Sequence, residues 1–176
     1  MRTMRTNTTR RLCIGGVIGA LYALLTLALP FASFGPLQIR FSEAMTILPF
    51  FLPETIPGLT VGCFIANLVG SPYSVDWLVG TFATLLAAIW TSKMKNKWLA
   101  PLPPVICNTI IIGAEVAWVQ VGFTDAFPAA FLYNSVTVGV GEFLACYTLG
   151  LLLLQALPKV SYFRDLMAPD RLKRIS

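Results

Sequence analysis

Eight acidic side chains and no histidine bound the chemistry open to this 176-residue chain. Histidine is the commonest general base, and the carboxylates have no evident nucleophile beside them, so the chain reads as a non-enzyme. Cys13, Cys63, Cys107 and Cys146 show no CxxC spacing, which argues against a thiolate metal set and leaves them as packing residues. No GxxxxGK[ST] loop is present to cradle a nucleotide phosphate. What remains is recognition by hydrogen bond and charge. Arg40 and Glu43, three residues apart in LQIRFSEAMTILP with Gln38 and Ser42 beside them, stand between apolar flanks. Asn67, Asp76, Asn108, Glu115, Asn134 and Glu142 are further polar positions in apolar surroundings. Carboxylates accept paired N–H donors, while arginine and amides donate to carbonyl oxygens. Such a set suits the binding of a small polar ligand.

The elements that must position these groups follow from composition. Hydrophobic residues make up 56% of the chain and charged ones 12%, with a mean hydropathy of +0.74, whereas soluble domains carry about 25% charged residues. A soluble domain of about 150 residues leaves close to a third of its surface exposed, so the solvent for this much apolar surface is lipid. The first apolar run has no small-residue cleavage site behind it and is followed by more such runs, so it reads as a mature span.

A spanning helix takes about 20 apolar residues. Six segments fit: 11–31, 42–52, 55–70, 75–91, 98–120 and 127–157. The second is too short to cross alone, and Pro53 and Pro57 break the backbone after it, so the second and third are expected as a broken, partly re-entrant pair. Basic residues cluster before the first span (Arg2, Arg5, Arg10, Arg11), between the fourth and fifth (Lys93, Lys95, Lys97) and after the sixth (Lys159, Arg164, Arg171, Lys173, Arg174). Six crossings bring all three clusters to one side, the cytoplasmic one by the positive-inside rule. The expected architecture is an all-α integral membrane protein with both termini cytoplasmic, one domain of 1–176 with a bundle over 11–157 between tails 1–10 and 158–176. It would sit multi-pass in a bacterial cytoplasmic membrane. The net charge of +5 is then a topology signal, not a mark of nucleic-acid binding. The tail KVSYFRDLMAPDRLKRIS reads as a short helix on the inner leaflet or a contact for a partner.

Each central charge in a span costs about 2.5–3.5 kcal/mol on insertion scales, so the buried polar positions need a reason. On this topology Arg40, Glu43, Asp76 and Glu115 all face outward. Asn108 and Glu115 are seven apart, as are Ser135 and Glu142, so each pair shares one helix face. Stripes turned toward one another would line a pocket entered from outside, with Tyr73, Trp77, Trp118, Phe123 and Tyr133 as aromatic walls. Structural readings stand beside these. Asn67 and Asn108 also fit plain interhelical hydrogen bonds, Asp76 an N-cap, Arg40 with Glu43 a mutual ion pair, and the aromatics an interface belt. In RLCIGGVIGALYALLTLALP the residues Gly15, Gly19 and Ala23 recur every four positions, a smooth strip for close helix approach, within the bundle or to a partner.

The segments RFSEAMTILPFF, GLTVGCFIANLVGSPYSVDWLVGTFATLLAA and WLAPLPPVICNTIIIG, in that order and spacing, resemble the queuosine-precursor transporter (QueT) family, substrate-binding S components of energy-coupling factor (ECF) transporters. The resemblance covers roughly Gly15 to Leu157. It implies a six-helix S-component bundle that captures a deazaguanine-type base from outside. It also implies partners: a transmembrane coupling subunit and two ATPase subunits that use ATP, with no cofactor or metal in this chain. Gly15, Gly19 and Ala23 stand where S components carry their docking strip, with glycine where alanine is usual. For the substrate site, Glu115 or Glu43 would accept the base's N–H edge, and Asn67, Asn108 or Arg40 would donate to its carbonyl. Trp77, Tyr73 or Trp118 would stack, Asp76 would take an aminomethyl cation, and Asn134 and Glu142 complete the set. A stand-alone proton- or sodium-coupled transporter, with Glu115 and Glu142 as the ion relay, is the alternative, as is an S component for another vitamin.

Overall fold

The computed structural model describes residues 3–35, 38–167 and 169–173, with side chains from residue 8 onward. Arg2, Leu37, Arg174 and the Arg5 side chain therefore lie outside the described residues. The order is α1 (Thr3–Ala28), α2 (Pro30–Ser33), a 3₁₀ segment (Phe41–Phe50), a 3₁₀ turn (Pro53–Thr55), α3 (Ile56–Gly70), α4 (Asp76–Lys93), α5 (Leu102–Val121) and α6 (Phe127–Leu144). A π-helical segment (Ala145–Gly150), α7 (Leu151–Ala156), α8 (Ser161–Arg164) and α9 (Pro169–Leu172) complete it, and the described residues include no strand. Proline and glycine set several boundaries. Pro30, Pro57, Pro103 and Pro128 lie in the first turns of their helices, where a missing N–H costs nothing. Gly122, at φ 61°, ends α5 in a conformation that favours glycine.

Three stretches are long and apolar enough to cross a membrane, Thr8–Ala28, Leu102–Val121 and Phe127–Lys159. Their outward faces are apolar, with Leu12, Leu24, Leu132 and Leu152 exposed, while Thr26, Asn108 and Glu142 point inward. An apolar outside around a polar inside makes this an α-helical membrane protein. The helices α3 and α4, of 15 and 18 residues, are shorter or more polar than those three.

The second expected span differs from an α-helix. Residues Phe41–Phe50 form a ten-residue 3₁₀ helix, well beyond the usual 3–4 residues. Pro49 lies inside it, and Thr46 bonds its hydroxyl to the Glu43 carbonyl at 2.6 Å, which takes up an acceptor within the turn. Every residue from Ser42 to Phe50 is buried, so the segment has no solvent or lipid face. It is a central post. Ser42 pairs with Thr26 at 2.6 Å, Glu43 with Tyr22, and Glu54 with Arg11 at 3.9 Å, so the chain runs antiparallel down α1 from residue 26 to residue 11. A 3₁₀ helix rises about 2.0 Å per residue against 1.5 Å for an α-helix, so ten residues reach roughly 20 Å. Even so extended, the segment is shorter than the hydrocarbon core of about 30 Å, in keeping with one too short to cross alone.

Around the post, α1 packs on α3, α3 on α4, α4 on α5, and α5 on α6. The α1–α3 contact is made by glycines. A Cβ on Gly58 would strike the Gly15 carbonyl, and one on Gly19 or Gly62 would strike the backbone of Gly58 or Gly19. In lipid no hydrophobic force drives helix pairing, so such close backbone packing carries the association.

The tail is part of the bundle. Met167 is buried, and Phe163, Leu166 and Leu172 pack on the core formed by Phe50, Leu52 and Leu154. Arg171 donates to the carbonyl oxygens of Pro49 (3.1 Å), Phe50 (2.8 Å) and Ser92 (3.2 Å), and Arg10 lies over the Tyr162 ring at 4.8 Å. The start of α1 and the tail thus share one end of the molecule. The expectation of a tail lying on the leaflet gives way, because its apolar residues find core partners instead.

Candidate functional site

At the opposite end, the loop before the post, the start of α4 and the outer part of α5 meet. Asp76, the first residue of α4, does not cap that helix through its side chain. Its carboxylate lies 3.9 Å from the Arg40 guanidinium, and Arg40 lies the same distance from Glu43. The Arg40 guanidinium also covers the Phe34 ring at 5.0 Å. Glu43 accepts the Tyr22 hydroxyl through Oε1, while its Oε2 has no partner. Asn67, fully buried on α3, donates to the main-chain oxygen of Asp76 at 3.0 Å and leaves its Oδ1 unpaired. An acid in the first turn of α4 is also favoured by the helix dipole.

Of these groups Phe34 and Asp76 line a narrow cleft of about 10 Å³ together with Gln38, Tyr73, Ile112 and Glu115, while Arg40, Glu43 and Asn67 lie behind it. That is far below the range of about 300–1,000 Å³ for drug-sized ligands, so the cleft is closed in this conformation and opens only if the loop around Gln38 moves. Gln38, at φ 43°, holds the roof in a left-handed conformation that a non-glycine residue adopts at some cost. Glu115 is 6% exposed, and both its carboxylate oxygens are buried without a partner. A bare carboxylate costs far more there than a carboxyl that holds a proton or meets a donor.

Not every expected site residue reaches this cleft. Asn108 donates to Glu142 Oε1 at 2.8 Å, and Cys146 contacts Glu142 Oε2 at 3.7 Å, a buried lock between α5 and α6. Asn134 bonds Gln120 at 2.8 Å and the Ala130 carbonyl at 2.8 Å, again tying α6 to α5. Ser135 packs against Gly113. Trp118 continues into a row of rings with Phe123 (6.4 Å) and Phe127 (5.4 Å from Phe123). It shares only a shallow outer hollow with Tyr73. Trp77 is half-buried with its Nε1 unpaired. Gly15 and Gly19 pack closely on the backbone of α3 and, with the largely buried Ala23, also line the floor of an open groove. The groove runs along Leu12, Gly16, Ala20, Val61 and Ile65. The Tyr22 contact to Glu43 was not anticipated, although a lone phenol in an apolar span was the available signal.

Fold and site together define an α-helical membrane protein with a narrow acidic cleft at one end. The chain belongs to the QueT transporter family, whose family model matches residues 12–159. It is similar to the queuosine precursor transporter QueT of Lactococcus lactis subsp. cremoris, 34% identical over 85 residues, which is 47% of this chain and 50% of that protein. The chain thus spans about half the length of the curated relative it matches. No solved structure matches it.

Proposed function

We propose that this chain is the substrate-binding component of an importer, taking up a deazaguanine-type queuosine precursor from outside. The observation that carries this reading is Glu115, whose two carboxyl oxygens are buried without a partner at a narrow, closed cleft. The neighbouring Arg40, Glu43, Asn67 and Asp76 supply further donors and acceptors for a purine-like edge, and Tyr73 supplies a ring at the mouth. Membership of a transporter family supports the same conclusion. Asn108, Asn134 and Glu142 act by holding α5 on α6, and Trp118 by shaping the outer rim.

Six crossings follow if the 3₁₀ post counts as one, and its antiparallel run along α1 supports that count. An even number agrees with the shared end of α1 and the tail, which the basic clusters assign to the cytoplasm. The whole chain then acts as one membrane domain. With no phosphate loop in the sequence, the energy comes from ATPase subunits through a transmembrane coupling subunit. The groove along Gly16 and Ala20 is the surface offered to that subunit. The 38–40 loop lifts to admit the base and closes by the Arg40 bridges.

Calorimetric titration of the purified chain in detergent with aminomethyl deazaguanine, queuine, guanine and two unrelated vitamins tests this. Selective binding of a deazaguanine without added subunits is expected, and Glu115→Ala, Asn67→Ala and Arg40→Ala should each weaken it. A monodisperse protein that binds none of the panel, or variants that all bind unchanged, would refute the reading.

A further inference from the structure

The turn between α4 and α5, at the end of the molecule shared by the start of α1 and the tail, carries charge that the fold does not use. Lys93 ends α4 and Lys95 follows it, and both are exposed. The ion pairs among the described residues join Arg11 to Glu54 and Arg40 to Glu43 and Asp76, so neither lysine meets an acid. The turn itself is well anchored. Met94 packs on the core, Ala100 is fully buried, and the Thr91 hydroxyl donates to the Ala100 carbonyl at 3.3 Å. Between those anchors Asn96 organises the chain: its Oδ1 accepts the Trp98 N–H at 2.9 Å and its carbonyl accepts the Leu99 N–H at 3.1 Å. Trp98 and Leu99 both stand exposed in this turn, two large apolar side chains next to unpaired cations.

A second feature ends at the same place. On α4 the residues Leu78, Phe82, Leu86 and Trp90 recur every four positions and all are exposed, so they form one ridge on the outside of the bundle. From Leu78 to Trp90 the helix rises about 18 Å, more than the roughly 15 Å of one leaflet's hydrocarbon. Lys93, seven residues after Leu86, lies below it on the same face. Cations at the foot of an apolar ridge match an amphiphile with an anionic head. We infer that this corner binds an anionic glycerophospholipid, with its phosphate at Lys93 and Lys95 and an acyl chain along the α4 ridge. Trp98 supports the placement, because tryptophan sits at headgroup level and sets the depth of the turn. A zwitterionic lipid would bring a second cation to two unpaired lysines. Free phosphate would use the lysines and leave the ridge without a role, as would an acidic protein. Near an anionic leaflet each lysine contributes about fivefold in affinity. The inference is independent of the transport reading.

The test offers the full chain two lipids that differ only in the head. After incubation in detergent with equal amounts of phosphatidylglycerol and phosphatidylcholine carrying the same acyl chains, native mass spectrometry counts which lipid is retained. The wild-type chain should retain phosphatidylglycerol at least about fivefold better. The double variant Lys93→Gln with Lys95→Gln should lose that preference. Lys159→Gln with Arg164→Gln, which removes two exposed cations from the tail, should keep it. A second readout holds even if the lysine variant folds poorly. Phosphatidylglycerol brominated on its acyl chains should quench the wild-type tryptophan fluorescence more than brominated phosphatidylcholine, and Trp90→Phe with Trp98→Phe should remove the difference. Equal retention of the two lipids by the wild-type chain, or equal quenching, would overturn the proposal. So would a preference that survives the lysine variant, or one that the tail variant loses as fully, since the attraction would then be diffuse. Cancellation of the preference by excess inorganic phosphate would reduce the site to a plain anion site and overturn the lipid assignment. A wild-type chain without lipid preference, whose lysine variant nevertheless loses cellular uptake, would assign the lysines to an acidic protein partner instead.

Discussion

Arg40 stands 3.9 Å from Asp76, an ion pair without a hydrogen bond, and it is equally distant from Glu43. Direct hydrogen bonds of this type lie at about 2.7–2.9 Å, so the guanidinium is shared loosely between the post and the first turn of α4. A clasp of this kind can open. Its side chain is nevertheless 11% exposed, and Glu43 beneath it is fully buried. Removing one partner of a buried pair costs about 3–5 kcal/mol because the other charge is stranded. Arg40→Ala should therefore lower the unfolding midpoint in detergent clearly and speed ligand release. Adding Glu43→Gln to it should recover part of the stability, since the stranded charge is gone, without recovering the slow release. A double variant no more stable than Arg40→Ala would show that the pair is not coupled.

The Asn108 to Glu142 bond predicts a different split. Asn108 donates at 2.8 Å to a carboxylate that is 4% exposed. Asn108→Ala leaves that acceptor short of a donor, at a cost of about 1–3 kcal/mol. Ligand affinity should stay unchanged, because the pair lies between α5 and α6 and does not line the cleft. Thermal unfolding and calorimetry on the same sample separate the two effects. Weakened binding with normal stability would return Asn108 to the substrate site.

How far the sequence carried this depends on which contacts are local. Glu115 was legible because an isolated carboxylate in an apolar span has few structural uses, and the seven-residue spacing put Asn108 on its face. That Asn108 meets Glu142 was not legible, since the relative rotation of α5 and α6 is set by Gly113 packing on Ser135. Most helix boundaries followed from prolines and the basic clusters. The 3₁₀ form of Phe41–Phe50 did not, because a segment buried on every side carries no amphipathic periodicity to distinguish three residues per turn from 3.6. The strip of Gly15 and Gly19 was visible, but its partner glycines, Gly58 and Gly62, lie some forty residues away and only packing pairs them.

Those glycines separate folding from partner docking. Gly58→Val would drive a side chain into the Gly15 backbone, which cannot yield as a flexible side chain would. Overpacking of this kind costs roughly 1–3 kcal/mol or more, so the variant should unfold earlier or express poorly. Gly16 has nothing within 4 Å of an added Cβ and faces the open groove. Gly16→Leu should fold and bind ligand normally, yet lose cellular uptake and co-purification with a coupling subunit. Normal uptake by Gly16→Leu would remove this groove as the docking surface.

The tail supplies the last prediction. Arg171 donates to three carbonyl oxygens, two at the end of the 3₁₀ post and one at the end of α4. The post's last carbonyls lie where Pro53 interrupts the backbone ladder, so part of their bonding must come from a side chain. A guanidinium suits this, because its rigid planar fork aims Nη1, the donor in all three bonds, at the three acceptors together. Hydrogen bonds that involve a charged group contribute about 1.5–3 kcal/mol each when buried, and these are only partly buried, so the net effect belongs near the lower figure. Arg171→Ala should lower the unfolding midpoint and expose the tail to protease near residues 160–165. Arg171→Lys should fall between, since an ammonium keeps the charge and loses the fork. The anchored base of the post is more than 100 residues from Arg171 in sequence, yet it continues directly to Arg40 and the roof of the cleft. Looser anchoring should therefore appear at the far end as faster ligand release, measured by stopped-flow displacement. Unchanged release from a destabilised Arg171→Ala protein would mean that the post does not transmit the latch to the site.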